Sequence, residues 1–374
     1  MALRAFLLAV LVALMATPSA HAQRAADGVF TVRGVEIDRT APSAPQARDQ
    51  GVTEGQRLAW RRLVERLVPV AGRGNLASLP APQIAELLES YEIEAERATG
   101  NRWIGRVAYR FEAERVRNLF RTREVAYAET RARAVLIVPL LIDGGVPKLW
   151  EEENLWKRAW VALGADDGLQ PRRVPEGNLE DIATLDAAQA DAGDAAALRR
   201  LAEVYQAQGA IVVRVQVDTV EGQTLAVVTF DRVGARAQDQ SWQKIETLKP
   251  GENLEAAFTR LAQEAANEIE ERWKQEVLVG TGAGQGGTLR AQIRAEDIRD
   301  WVAVRARLAE VAAVRNIDVL AMGRGGLIAD VDYDGAVETL RAAMAQRDLA
   351  LAADGDNWII SISGQGVGAG QGAR

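Results

Sequence analysis

Residues 134–142 read AVLIVPLLI, an apolar run with no alternation. A strand with one face in water alternates apolar and polar residues, whereas a strand buried on both faces reads as continuous Val, Leu and Ile. The run therefore predicts a central strand with helices on both sides, and it sets the class of the surrounding segment. LWEEENLWKRAWVAL (149–163) follows as a helix and QPRRVP (170–175) as a short strand. DAAALRRLAEVYQAQG (194–209) has helical spacing with Gly209 in the C-cap place. AIVVRVQVDTV (210–220) and TLAVVTFDRV (224–233) read as strands joined at Glu221-Gly222, SWQKIETLK (241–249) as a further strand, and 254–278 as a long amphipathic helix. Helices alternating with strands over 130–279 predict an α/β three-layer sandwich.

Working outward, residues 23–129 predict an N-terminal α+β domain. GVFTVRGVEID (28–38) reads as a strand, and Val52, Leu58, Ala59, Leu63 and Leu67 recur at helical spacing. Pro80 and Pro82 open a short helix, YEIEAERAT (91–99) and RWIGRVAYRFEA (102–113) pair across Gly100-Asn101, and 114–126 closes as a helix. The order is β-α-α-β-β-α. On the other side, 288–363 reads β-α-β-β-α-β: TLRAQIR, a helix over 295–312, a hairpin of VRNIDVLAMG and GLIADVDYD, a helix over 335–348, and NWIISIS. That order predicts a ferredoxin-like domain. The whole is a multi-domain chain of α/β and α+β class.

Residues 279–287, VGTGAGQGG, carry the spacing G-x-G-x-x-G. A phosphate-cradling loop needs a strand before it and a helix after it, so that the helix N-terminus faces the anion. Here a helix precedes and a strand follows. GAGQG at 282–286 also recurs at 368–372. Residues 280–287 are therefore read as a linker, and 364–374 as a disordered glycine-rich tail.

The N-terminus has Arg4, an apolar run from Ala5 to Ala16, Pro18 and then Ala20-His21-Ala22. This is the layout of a signal peptide, 1–22, cut after Ala22; a bilayer span needs about 20 apolar residues. The expected location is the periplasm, with no transmembrane segment after cleavage. His21 is the only histidine, and there is no cysteine. The processed chain would then lack the usual general base, the serine–histidine and cysteine–histidine pairs, zinc-thiolate sites and a lipid-anchoring cysteine. The net charge is −7, and losing Arg4 lowers it to −8, which argues against a nucleic-acid partner.

Three residues stand out as ligand or partner candidates: Asp143, Trp156 and Trp160. Asp143 ends the apolar run before Gly144-Gly145, where ligand loops gather in open α/β sheets. Trp156 and Trp160 share a helix face, either as an aromatic platform for a sugar or peptide or, more commonly, as core. Asp330, Asp332, Asp334 and Gly335 start like a calcium loop, but the twelfth place holds Arg341 where a bidentate glutamate belongs. Strand alternation with the aspartates on the wetter face explains them better. Arginines from Arg57 to Arg123 interleave with acids, as on a salt-bridged face.

GQRLAWRRLVERLV (55–68), YEIEAERATGNRWIGRVAYRFEAERVRNLF (91–120) and ARAVLIVPLLI (132–142) resemble the bacterial family called domain of unknown function 2066. The resemblance implies an exported protein of Gram-negative bacteria, and it brings no site residues with it. The expected function is non-catalytic binding or scaffolding of an envelope protein partner, without cofactor, in which the third domain docks a partner strand or helix on its exposed sheet edge. The alternatives are a small-ligand or glycan binder using the cleft near Asp143 and the tryptophans, and a carboxylate hydrolase, for which no motif speaks.

Overall fold

The computed structural model describes residues 28–363 apart from 165–166, 221–222, 235–239, 250, 280–285, 296–297, 324–325 and 355–356. The expected leader, 1–22, the expected tail, 364–374, and the expected glycine linker up to residue 285 lie outside the described residues. Among those described there are three sheets and ten α-helices, a mixed α/β composition.

The N-terminal segment contains β1 (Thr31–Thr40), α1 (Ala44–Leu67), α2 (Ala81–Leu87), β2 (Leu88–Thr99), β3 (Arg102–Phe111) and α3 (Ala113–Thr122). The strands form an antiparallel sheet of order β1-β3-β2. Ser43 caps α1, its Oγ accepting the Gln46 N–H. Val52, Ala59, Leu63 and Leu67 of α1 are buried, as their spacing predicts, while Leu58 lies on the partly exposed flank. The helix lies very close to the sheet. A Cβ on Gly51 would stand 2.8 Å from the Trp103 ring, and one on Gly55 would stand 2.2 Å from the Tyr109 hydroxyl. The two glycines, one turn apart, are what admit those rings. Trp60 packs against Phe111 and Phe120, and its Nε1–H reaches the Leu76 carbonyl at 2.6 Å.

Residues 131–273 form a compact unit of their own. Its elements are β4 (Val135–Asp143), β5 (Val146–Lys148), α4 (Leu155–Ala162), β6 (Arg172–Arg173), α5 (Leu179–Thr184), α6 (Ala187–Ala192), α7 (Ala195–Val204), β7 (Gly209–Val220), β8 (Gln223–Gly234), β9 (Gln240–Thr247) and most of α8 (Leu254–Glu276). The strand order is β5-β4-β7-β8-β9, with β6 beside β4. β4 runs parallel to β7 and β6, and the other pairs are antiparallel. Alternate residues of β4 enter two different cores. Val135 and Ile137 meet Trp156, Trp160, Phe258 and Leu261 of α4 and α8; Leu136, Val138 and Leu140 meet Ala190, Leu198 and Leu201 of α6 and α7. Helices thus cover both faces, which is why the run 134–142 has no polar residue. α5 and α6 have six residues each, too few for an apolar period to show; both open on capping boxes, Asn178 with Asp181 and Asp186 with Gln189.

The C-terminal segment contains β10 (Gly287–Ile293), α9 (Ile298–Ala309), β11 (Val314–Gly323), β12 (Gly326–Tyr333), α10 (Val337–Ala345), β13 (Leu349–Asp354) and β14 (Asn357–Ile362), in a sheet of order β11-β12-β10-β14-β13. The expected βαββαβ order has one strand after the last helix; the chain has two. β14 turns back from β13 and inserts beside β10, parallel to it. The extra strand is hidden in the sequence because LALAAD is rich in helix-forming Ala and Leu. What separates it from α10 is Asp348, in a left-handed conformation at φ 58°. One face of this sheet is packed: Leu289, Ala291, Ile293, Leu327, Ala329 and Val331 meet Trp301, Val304 and Leu308 of α9 and Leu340 and Met344 of α10.

By contacts, this C-terminal segment belongs with the N-terminal one. The first unit comprises residues up to 130 together with those from 274 onward. Tyr127 and Val279 exchange backbone hydrogen bonds of 2.9 and 2.6 Å, and Lys274 Nζ donates to the Glu65 carbonyl at 2.6 Å. The contact boundaries therefore fall at 130/131 and 273/274. The sequence division instead puts residues 274–279 in the central domain and sets 288–363 apart. Gly287, assigned by sequence to the linker, opens β10. Among the described residues, no helix is long and apolar enough to cross a membrane.

Candidate functional site

Asp143 closes β4 and turns through Gly144-Gly145 into β5. It is exposed and pairs with Lys148 Nζ at 2.5 Å, and this hydrogen bond holds the lysine above its ordinary pKa. Trp156 and Trp160 are in a different environment. Both are fully buried on α4, with ring centroids 5.8 Å apart at 86°. The Trp156 Nε1–H is spent on the Val213 carbonyl at 2.8 Å, and Phe258 meets its ring edge-on. Neither indole offers a face to solvent, so the structure does not bring the three candidates together into a cleft. The tryptophans fill the space between α4, α8 and the sheet, the use that large aromatics most often have.

The motif of Asp330, Asp332, Asp334 and Gly335 lies on β12, an inner strand of its sheet, and on the turn after it. Asp330 receives two hydrogen bonds from Arg290, at 2.8 and 2.9 Å, and is held below the usual carboxylate range by them. Asp332 accepts from the Thr288 hydroxyl, and Asp334 pairs with Arg315. Each carboxylate has its own protein partner along β12 and the turn after it, an arrangement unlike a loop wrapped around one ion. Arg341 of α10 donates to the Leu351 carbonyl instead.

Of the arginines from Arg57 to Arg123, Arg102 pairs with Asp38, Arg106 with Glu94, Arg115 with Glu112, and Arg117 with Glu129 and Glu114, while Arg62 and Arg66 donate to backbone carbonyls. Glu129 is buried, which pushes its carboxyl up, while Arg117 pulls it back. A shallow groove of about 660 Å³ runs along α1, lined by Arg39, Asp49, Thr53, Glu54, Arg57 and Arg61 among others. Its lining is mostly charged, unlike the apolar pockets that bury small ligands.

One polar cluster has no signal beyond the capping box that frames it. Asp181 is fully buried, and its Oδ2 accepts from the Gly177 and Asn178 N–H groups and the Tyr205 hydroxyl at 2.8, 3.2 and 2.8 Å. Burial, reinforced by this carboxylate, pushes the Tyr205 phenol up to about 12. Lys157, partly buried 5.3 Å above the Trp150 ring, is lowered by that burial and donates to the Glu176 carbonyl. These bonds fasten the loop before α5 to α4 and α7, which is an architectural task.

The C-terminal sheet presents a different kind of surface. β11 is its edge and, among the described residues, pairs only with β12. Val319 and Leu320 are 44% and 52% exposed there, and Ile328 beside them on β12 is 44% exposed. An edge strand offers unpaired N–H and C=O groups to a further strand, and natural proteins usually blunt such edges with charge or bulges. β11 does have register irregularities, between Val314 and Asn316 and between Val319 and Ala321. It nonetheless keeps two exposed aliphatic side chains, Val319 and Leu320, with a third, Ile328, on the strand beside it. No protein-family model matches the chain, and no curated protein matches it.

Proposed function

We propose that this protein is an exported, non-catalytic binding or scaffolding component of the Gram-negative cell envelope, and that β11 is its working edge. The observation that carries the reading is that Val319 and Leu320 stand exposed on β11, whose outer side is unpaired among the described residues, with Ile328 exposed on the neighbouring β12. Adding a partner strand to such an edge gives affinity through main-chain hydrogen bonds and selectivity through alternate side chains. The leader layout supports export to the periplasm with cleavage after Ala22, and a processed chain without histidine or cysteine suits recognition better than acid–base or thiol chemistry. The partner is an envelope protein rather than a nucleic acid, in keeping with the acidic net charge. In the same reading, residues 131–273 are an α/β three-layer sandwich, the C-terminal sheet is a ferredoxin-like fold with an inserted strand, and the chain is a relative of the domain of unknown function 2066 family. A photo-crosslinking residue in place of Leu320, activated in intact cells, is expected to trap one envelope protein, and the same residue in place of buried Leu327 is expected to trap none. The mature N-terminus should be Gln23. Equal labelling from both positions, or an uncleaved cytosolic chain, refutes the proposal.

A further inference from the structure

We infer that the strand added to β11 carries a lysine or arginine opposite Asp318, flanked by apolar residues; this rests on β11 being the working edge. Asp318 lies opposite Asp330 on β12, which lies opposite Arg290 on β10. The Arg290 guanidinium gives both of its hydrogen bonds to the two oxygens of Asp330, at 2.8 and 2.9 Å. Asp318, exposed, receives among the described residues only the side-chain amide of Asn316, at 3.0 Å. Two carboxylates directly opposite one another repel, and this cross-strand row has one cation for two of them. As a cross-strand neighbour, the missing cation has one side from which to enter, the free edge. A side chain opposite Asp318 on an added strand would have its Cβ about 5 Å from that of Asp318, the spacing of a cross-strand ion pair. An acid at that place would line up three carboxylates.

The neighbouring positions decide the rest of the partner. Ile317 packs partly into the core under α9 and α10, while Val319 and Leu320 stand exposed on either parity of the strand. Residues on either side of the cation are therefore apolar. A second copy of β11 fits poorly. Its one basic residue is Arg315, already held by Asp334, and pairing centred on Asp318 would set two carboxylates face to face.

The test is selection of a random ten-residue peptide display library on the immobilised full chain, with bound peptides then mapped by amide hydrogen exchange. Enriched peptides should carry Lys or Arg between apolar residues and slow exchange of the 314–323 amides. They should bind Asp318→Asn about tenfold more weakly, the scale of one lost charge pair. Asp318→Lys should turn the preference toward Glu. Peptides that protect 314–323 without preferring a cation, or that bind Asp318→Asn equally, overturn the inference and leave the edge reading standing. A selection that yields no peptide, or peptides that protect no amide in 314–323, overturns both.

Discussion

Two neighbouring pairs of aliphatic residues behave in opposite ways. In β4, Leu136 and Ile137 are adjacent and both fully buried, one in the core of α6 and α7, the other in the core of α4 and α8. In β12, Leu327 is 2% exposed and its neighbour Ile328 is 44% exposed. The difference is whether helices cover one face or two. A strand covered twice has every side chain committed to packing, so it holds a fold together and offers nothing to a partner. A strand covered once has alternate positions left over. The largest expected effect tests this directly. Leu136→Ala and Ile137→Ala should each cost about 2–5 kcal/mol in urea unfolding, from lost transfer and an unfilled cavity. Leu327→Ala should fall in the same range, while Ile328→Ala should stay within about 0.5 kcal/mol, as surface changes do. Similar losses at both β12 positions would mean that its second face is also packed.

The ion pairs of the two regions differ in exposure, Arg260 being about one-fifth exposed and Arg290 about three-fifths. In the 131–273 unit, Arg260 of α8 grips Glu252 through two bonds, 3.0 and 2.8 Å, and reaches Glu264 as well. The Arg260 hydrogen bonds hold Glu252 down at about 2, against an ordinary 4.5. Asp330 is lowered by Arg290 in the C-terminal sheet. A carboxylate depressed in the folded state contributes stability that is complete above its unfolded value and fades as pH falls toward the folded one. The Glu252 contribution should therefore be intact at pH 5 and lost between about 4.5 and 2. Carboxyl chemical shifts followed by NMR should put its midpoint near the lower figure, and Arg260→Gln should raise it, short of the ordinary value because the Lys249 N–H and charge still favour the carboxylate. Arg290→Gln should raise Asp330 in the same direction. A Glu252 midpoint unmoved by Arg260→Gln would take the grip away.

What was legible in the sequence follows from how far each signal reaches along the chain. AVLIVPLLI announces its two covered faces because burial acts on each residue in turn. The β11–β12 hairpin is legible from its glycine turn, and the helix bearing Trp156 and Trp160 from its spacing; that both rings are sealed depends on α8, about a hundred residues away. β13 was not legible, since Ala and Leu favour helix and the break rests on one aspartate in a left-handed turn. Nor was the candidate edge. Ile317, Val319 and Leu320 place apolar side chains on both parities of β11, the same pattern that in β4 means two covered faces. In β11 it means an outermost strand. Strand order comes from long-range pairing, and no local pattern distinguishes a central strand from an exposed one.

The smallest effect is the most diagnostic, because its sign runs against the habit of point changes. Asp318→Asn removes a charge that faces Asp330 and, among the described residues, has no cation of its own. Like charges directly opposite in a sheet are destabilising, on the order of 0.2–1 kcal/mol. The variant should therefore be slightly more stable than the parent in thermal or urea unfolding at pH 7 and low salt, and the gain should shrink as salt screens the repulsion. Asp330→Asn should not match it, because it also replaces one of the two oxygens that accept from Arg290 with an N–H donor and removes the charge that Arg290 pairs with. Were Asp318→Asn to lose stability by as much as Asp330→Asn, the row would already be balanced, and the edge would have no cation to ask of a partner.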